Sequence, residues 1–376
     1  MIKLLKAVKW KNFINYIAVA LVAIVFAILS FSGGVKTSTI IIVEKIAISM
    51  VLAVSLSLVV GFLGELSLGH AGFMCVGAYL GGKASVLLSG VIGNEFLAFL
   101  ISLLIGGALA AVLGFVIGLP ALRLKGDYLA IVTLAFGEIV KVIFQQSETF
   151  GGNLGLATPR YDRKVFFIIA FALVLLTLFV SQNLIRSKHG RAITAIRDNE
   201  IAAKATGIDV TKYKLAVFII SAFFAGVAGV MFSYTNSTVQ AAKFGYNYSI
   251  EILVMVVLGG MGNISGSLIS AALITFLNEK LRVVLTGDLA VLKDLLYALI
   301  LILLVIYNNA PALKSFREKY NLRRLIERIT KHDPAKVKDD AANWDRIPTK
   351  IKMDELLSVD LKVEDEYAPV KPKEDK

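Results

Sequence analysis

Ile14-Asn15-Tyr16-Ile17-Ala18-Val19-Ala20-Leu21-Val22-Ala23-Ile24-Val25-Phe26-Ala27-Ile28-Leu29-Ser30-Phe31 is an almost unbroken apolar run, preceded by Lys3, Lys6, Lys9 and Lys11. At about 18 residues it exceeds the roughly 7–15 of a signal-peptide core, and Gly33-Gly34 is not a small-residue cleavage site of the usual form. The run predicts a first, uncleaved membrane helix with its basic end in the cytoplasm. The rest of the chain agrees with it. Hydrophobic residues make up 57% and charged residues 18%, against roughly 45–50% apolar and about 25% charged in soluble domains. A soluble fold has nowhere to bury so much apolar surface. The net charge of +12 comes largely from basic residues in short segments between apolar runs, which is what orienting a membrane protein requires. It does not point to nucleic acid. The single cysteine, Cys75, sits in an apolar run and reads as a small buried hydrophobe.

Crossing about 30 Å of hydrocarbon takes about 20 helical residues, and the apolar runs place crossings near 14–32, 40–62, 68–89, 95–118, 127–147, 164–184, 214–235 and 289–308. The expected fold is an all-α polytopic membrane protein, a bundle of about 8 to 10 transmembrane helices with broken or re-entrant segments. Residues 249–281 are apolar but interrupted by Gly259, Gly260, Gly262 and Gly266. The basic loop at 185–213 and the start of the tail both belong in the cytoplasm, so this stretch must contribute an even number of passes. It is short for two full helices. A broken or re-entrant element lining a cavity, turning within the membrane beside the path, is therefore expected here, with helix-to-helix packing through the glycines as the competing reading. After Asn309 the composition turns charged and mixed in sign. The expected organisation is a permease domain at 1–309 and a cytoplasmic tail at 310–376, amphipathic over Leu313–Ile329 and disordered beyond. Rows of small residues, Gly107/Ala111/Gly114/Gly118, Gly77/Gly81 and Ala225/Gly229, predict closely approaching helices.

Other chemistries fail on inspection. Gly33-Gly34-Val35-Lys36-Thr37 lacks the spacing of a phosphate loop, and Gly260-Met261-Gly262-Asn263-Ile264-Ser265 lacks the third glycine of a dinucleotide fingerprint. His70, His189 and His332 are far apart, with no cysteine or carboxylate at ligand spacing, so neither a metal site nor a catalytic triad is expected. No cofactor is expected on this chain, and no catalytic residues. Any energy from a nucleotide would have to come from another chain.

The most informative segment is the basic loop. Ala192–Thr206 is good helix material, with Gly207 as the residue that ends it. Its Gly190-Arg191-Ala192 and Ala195-Ile196-Arg197-Asp198-Asn199-Glu200 segments, followed by Ala202, Ala203 and Gly207, resemble the coupling loop of ATP-binding-cassette importer permeases in the branched-chain amino-acid family. The likeness extends to Ser67-Leu68-Gly69-His70-Ala71, to Arg123-Leu124-Lys125-Gly126-Asp127-Tyr128, to Gly151-Gly152 with Gly155, and to Gly259-Gly260-Met261-Gly262-Asn263, in the family's order. Glu65 stands where the family more often has a neutral amide or apolar residue, Ser57 where it has Asn, and Ser267 and Ser270 where it has Pro and Gly. The resemblance implies several partners: a second homologous permease subunit, two cytoplasmic ATPases that use ATP and magnesium, an extracytoplasmic binding protein and the lipid of a prokaryotic cytoplasmic membrane. Both termini would then be cytoplasmic. It also implies that Gly190, Arg191, Ala192, Arg197, Asp198, Asn199, Glu200, Ala202, Ala203 and Gly207 couple to the ATPases. Branched-chain amino acids are the implied substrate. Urea, short amides or another small metabolite are the alternative within the class, and an ion-coupled secondary transporter is the alternative outside it.

Polar residues within crossings are the pathway candidates, because an ionisable group in hydrocarbon is costly and tends to face a cavity or a partner. They are Ser67, His70, Glu138, Gly152, Asn153, Gly260 and Asn263. Glu138 and Lys141, three apart, can pair with each other as readily as touch substrate. His70 is expected to donate to a carbonyl. Glu44, Lys45 and Glu251, near crossing ends, are expected to snorkel.

Overall fold

The computed structural model describes residues 14–284, apart from 33–35, 125, 159–162 and 237, together with four residues between 295 and 302. The N-terminal lysines, most of the crossing expected at 289–308 and the tail after Asn309 lie outside the described residues. The helices are α1 (Ile14–Phe31), α2 (Thr37–Ser57), α3 (His70–Val76), α4 (Gly82–Ser89), α5 (Glu95–Ala121) and α6 (Asp127–Gln146), then α7 (Arg163–Arg186), α8 (Lys188–Asp198), α9 (Glu200–Ala205), α10 (Val210–Thr235), α11 (Tyr246–Gly259) and α12 (Ile264–Val284). A π-helical turn, Leu58–Leu63, prolongs α2, and another, Gly77–Gly81, joins α3 to α4. Two short strands, β1 (Leu156–Ala157) and β2 (Thr238–Val239), pair antiparallel. This is an all-α polytopic membrane fold.

Five described spans are long and apolar enough to cross a membrane, namely Thr37–Leu63, His70–Ser89, Glu95–Ala121, Val165–Arg186 and Val210–Thr235. The crossing expected at 127–147 appears as α6, less apolar because it carries Asp127, Glu138 and Lys141. Burial separates centre from rim. The apolar window of Thr37–Leu63 is 89% buried and that of α5 only 39%. A helix apolar all round is placed in the interior, and α2 with α10 forms that interior, while Leu104, Val112, Phe115 and Val116 of α5 stay exposed. The small-residue rows lie at the helix crossings they predict: a Cβ on Gly114 of α5 would stand 2.7 Å from the Ala222 methyl of α10, and one on Gly107 2.8 Å from the Phe223 ring.

The interrupted stretch resolves into two helices and a tight turn. Gly260 (φ 88°) and Gly262 (φ 81°) turn the chain in the left-handed region that glycine adopts without strain. Asn263 caps α12, its Oδ1 accepting from the Gly266 nitrogen at 3.3 Å. Gly259 and Gly266 also meet backbone to backbone, a Cβ on Gly266 standing 2.7 Å from the Gly259 carbonyl carbon. Bend and packing seam therefore occur together. The turn does not lie half-way along the bundle: a Cβ on Gly61, at the end of the α2 span, would stand 2.6 Å from the Gly262 nitrogen. A second non-helical break comes earlier in the chain, between α10 and α11. With 14 residues, α11 spans only about 21 Å of the roughly 30 Å needed. β2 and the 3-10 turn Ala241–Phe244 supply the remainder. Val239 and Phe244 there are buried within protein, the condition under which irregular backbone is tolerated at membrane depth.

Candidate functional site

Three polar caps shape the segment between α7 and α10. The Ser187 hydroxyl accepts from the nitrogens of His189 (3.1 Å) and Gly190 (3.3 Å) at the start of α8. Gly190 itself lies against α7, where a Cβ would come within 2.6 Å of the Ile185 Cα. Asp209 Oδ1 accepts from Lys212 N at 3.2 Å at the start of α10, and the Lys212 ammonium beside it lowers the pKa of that exposed carboxyl. Between them the single helix expected over 192–206 is in fact two. Asn199 adopts extended backbone (φ −159°, ψ 102°), ends α8 and caps α9 through its Oδ1 and Ala202 N at 3.0 Å. A short amide side chain competes well for backbone donors, which is why it breaks a helix and begins the next. Gly207, at φ 86°, ends α9 as expected.

Each of these helices presents two faces. Ile193, Ile196 and Ala203 are buried against the bundle, while Arg191, Ile201 and Ala202 face outward. Ile201 is 79% exposed, a large apolar side chain left uncovered on this segment. Two of the charged residues, Arg197 and Glu200, reach back to the bundle. Arg197 donates from Nη1 to the Gly61 carbonyl at 3.3 Å and from Nε to Asp198 Oδ1 at 2.9 Å. Its stem lies over Gly64 (φ 81°), where a Cβ would stand 2.7 Å from Arg197 Cγ. Lys214, near the start of α10, is held between Glu65 and Glu200, with Glu200 Oε2 at 3.1 Å from Nζ. Its side chain is only 4% exposed, against 13% for Glu65 and 34% for Glu200. One cation thus ties α9, α10 and the 64–69 loop together, and it accounts for the carboxylate at position 65. The sequence marks Glu65 as unusual at its position but does not link it to Lys214. Their 149-residue separation left no signal for the pair.

The 64–69 loop and the start of α3 are fixed from several sides. Leu68 N donates to Thr133 Oγ1 at 3.0 Å and Ala71 N to Ser249 Oγ at 3.1 Å. His70 is buried, and its Nε2 meets the Ser55 hydroxyl at 2.8 Å rather than a carbonyl. Ser67 is buried beside it.

The pathway candidates do not gather in one place. Ser67, His70, Gly260 and Asn263 lie towards the α8–α9 end. Gly152 and Asn153 lie in a 3-10 turn just before β1. Glu138 pairs with Lys141 and also accepts from the Tyr246 nitrogen at 2.7 Å, so it caps the positive end of the short helix α11. The snorkelling reading is corrected for three residues. Glu44 is fully buried, Lys45 donates to Glu279 at 2.7 Å, and Glu251 accepts from Asn278 Nδ2 at 3.0 Å. Glu44 lies inside the bundle, while Lys45 and Glu251 turn to partners on α12.

Residues 38–305 match the family model described as the permease component of branched-chain amino acid transport systems. The chain is 35% identical over 295 residues to the high-affinity branched-chain amino acid transport permease LivM of Escherichia coli K12, covering 70% of this chain and 68% of that one. It is 34% identical over 172 residues to a probable LivM of Methanocaldococcus jannaschii, covering 42% and 50%. To the ribose import permease RbsC of Escherichia coli K12 it is 26% identical over 294 residues, covering 71% and 84%. No solved structure matches it significantly. A match across nearly all of the helical bundle, from α2 past α12 and including the α8–α9 segment, makes this chain a member of the branched-chain amino acid permease family, a membrane transport subunit.

Proposed function

We propose that this chain, with a second homologous permease subunit, forms the membrane passage of an importer for leucine, isoleucine and valine. Two cytoplasmic ATPases bind ATP and magnesium and drive it, and an extracytoplasmic binding protein delivers the substrate. The observation that carries the coupling role is the two-faced α8–α9 segment: an outward Ile201 and Ala202 for a partner to cover, and inward Arg197 and Glu200 gripping the end of α2 and the start of α10. Residues Gly190–Gly207 are accordingly the docking element, with Arg191, Ile201 and Ala202 meeting the partner and Arg197, Asp198 and Glu200 transmitting its movement. The greater identity to LivM than to RbsC favours amino acids over sugars. The test is uptake of labelled leucine into proteoliposomes holding the full complex and its binding protein. Uptake is expected to need ATP hydrolysis and to ignore imposed ion gradients. Leucine uptake driven by a proton or sodium gradient without the ATPases would instead mean a secondary transporter.

In this reading the N-terminus, residues 185–213 and the 310–376 tail are cytoplasmic, in the cytoplasmic membrane of a prokaryote. Single cysteines at Ser187 and Lys336, in a Cys75→Ser background, are expected to react with an impermeant thiol reagent only from the cytoplasmic side. Labelling at either position from outside only would overturn the orientation.

A further inference from the structure

At the end of the bundle away from α8 and α9 lies a cavity of about 270 Å³, close to the lower bound of small-molecule pockets, about 300 Å³. Helices that reach both ends set its position. Lys45 of α2 lines it, roughly 24 Å along the helix from Gly61, and Phe232 of α10 lines it, about 27 Å from Lys214. The other walls are α11 and the far part of α12.

Its lining has two characters. Ile48, Phe232 and Phe244 form an apolar side, Ile48 and Phe244 each 1% exposed. The other side carries both signs of charge. Lys45 donates to Glu279 Oε1 at 2.7 Å, Arg282 Nη1 stands 3.9 Å from the same oxygen, and Glu251 accepts from Asn278. Lys243 adds a further cation. Ions at helix ends ordinarily reach out to the membrane interface. Here Lys45 and Glu279 are only 16% and 18% exposed, so they face the cavity instead. Carboxylates and cations beside an aliphatic and aromatic wall complement a molecule that carries an ammonium, a carboxylate and an apolar group on one carbon. A sugar offers no charge to match them.

Resting on the transport reading above, we propose that this cavity receives an aliphatic α-amino acid on the face opposite the docking helices. Glu251 takes the ammonium, Arg282 and Lys243 take the carboxylate, and Ile48, Phe232 and Phe244 cover the side chain. The Lys45–Glu279 pair closes the charged side and holds α2 against α12.

The experiment uses the full complex in proteoliposomes, with Thr275→Cys placed in the cavity wall in a Cys75→Ser background. A cationic methanethiosulfonate reagent is expected to modify the introduced thiol. Millimolar leucine should slow that reaction, while ribose, isovalerate (no ammonium) and isopentylamine (no carboxylate) should not. In the assembled complex, Glu251→Gln should lower leucine uptake about tenfold or more, the loss expected for one charged hydrogen bond, and should remove the protection. Leucine import by the wild type with no protection of the thiol, or equal protection by ribose, overturns the cavity proposal alone. Failure of the wild type to import leucine overturns the transport reading, and this proposal with it.

Discussion

Lys214→Met is expected to abolish ATP-driven uptake and to lower the stability of the solubilised protein by about 3 kcal/mol. Removing one member of a buried ion pair costs about 3–5 kcal/mol, because the partner keeps its desolvation penalty without compensation. The lower end applies here. Glu200, at 34% exposure, can be rehydrated and counts for little, whereas Glu65, at 13%, cannot. The functional loss has a second cause. Without the cation, Glu65 and Glu200 are like charges in one site, and repulsion drives α9 from the 64–69 loop when they should move together. Glu65→Gln combined with Lys214→Met should recover most of the stability, since no buried carboxylate remains unmatched at position 65. It should not recover transport, because α9 is still untied from α10. Thermal melting of the solubilised protein reads the first effect, and ATP hydrolysis with and without substrate-loaded binding protein reads the second. Normal substrate-stimulated hydrolysis in Lys214→Met would mean that this ion pair is structural only.

What could be read from the chain before folding follows from the range of the forces involved. Bilayer thickness imposes a length that any apolar run reveals, so the spans from α2 to α10 were legible within a few residues. Small-residue rows reveal helix approach, because only a missing side chain permits it. Features set by neighbours distant in sequence were not legible. Nothing around Asn199 shows whether its amide caps a new helix or points to solvent, since both conformers are locally satisfied. Lys45, Glu251 and Glu279 look like ordinary helix-end charges until α2, α11 and α12 are brought together around them. The break expected at Gly260 is present, but the irregular segment before α11 was not legible, for a similar reason. Glycines announce a bend, but the missing length of α11 is supplied by β2, whose pairing with β1 and acceptance of the Tyr79 hydroxyl at 2.9 Å no local pattern encodes.

Gly229→Ala is expected to prevent assembly of the bundle, a loss of more than about 3 kcal/mol, at the upper end of what overpacking costs. α10 crosses the α3–α4 unit with backbone against backbone. A Cβ on Gly229 would stand 2.7 Å from the Ala78 nitrogen and closer still to the Met74 carbonyl oxygen. The reciprocal position is as tight, since a Cβ on Gly77 would stand 2.5 Å from the Gly226 Cα. Neither neighbour is the end of a flexible side chain, so relief requires a helix to move. The helices cannot part singly, because the other side of α10 is held by the Gly107 and Gly114 seam of α5. Tyr79, the residue after Ala78, is fully buried and stacks on Phe144 at 4.6 Å, so a shift there would also open the aromatic cluster beside β2. Gly93→Ala is the matched control, with nothing within 4 Å of the added methyl and an expected change within about 0.5 kcal/mol. Fluorescence-detected size exclusion of the two variants should separate aggregate from monodisperse protein. A monodisperse Gly229→Ala with wild-type melting would show that α3 and α10 can separate by a methyl's width, and that the close crossing is not what holds the bundle together.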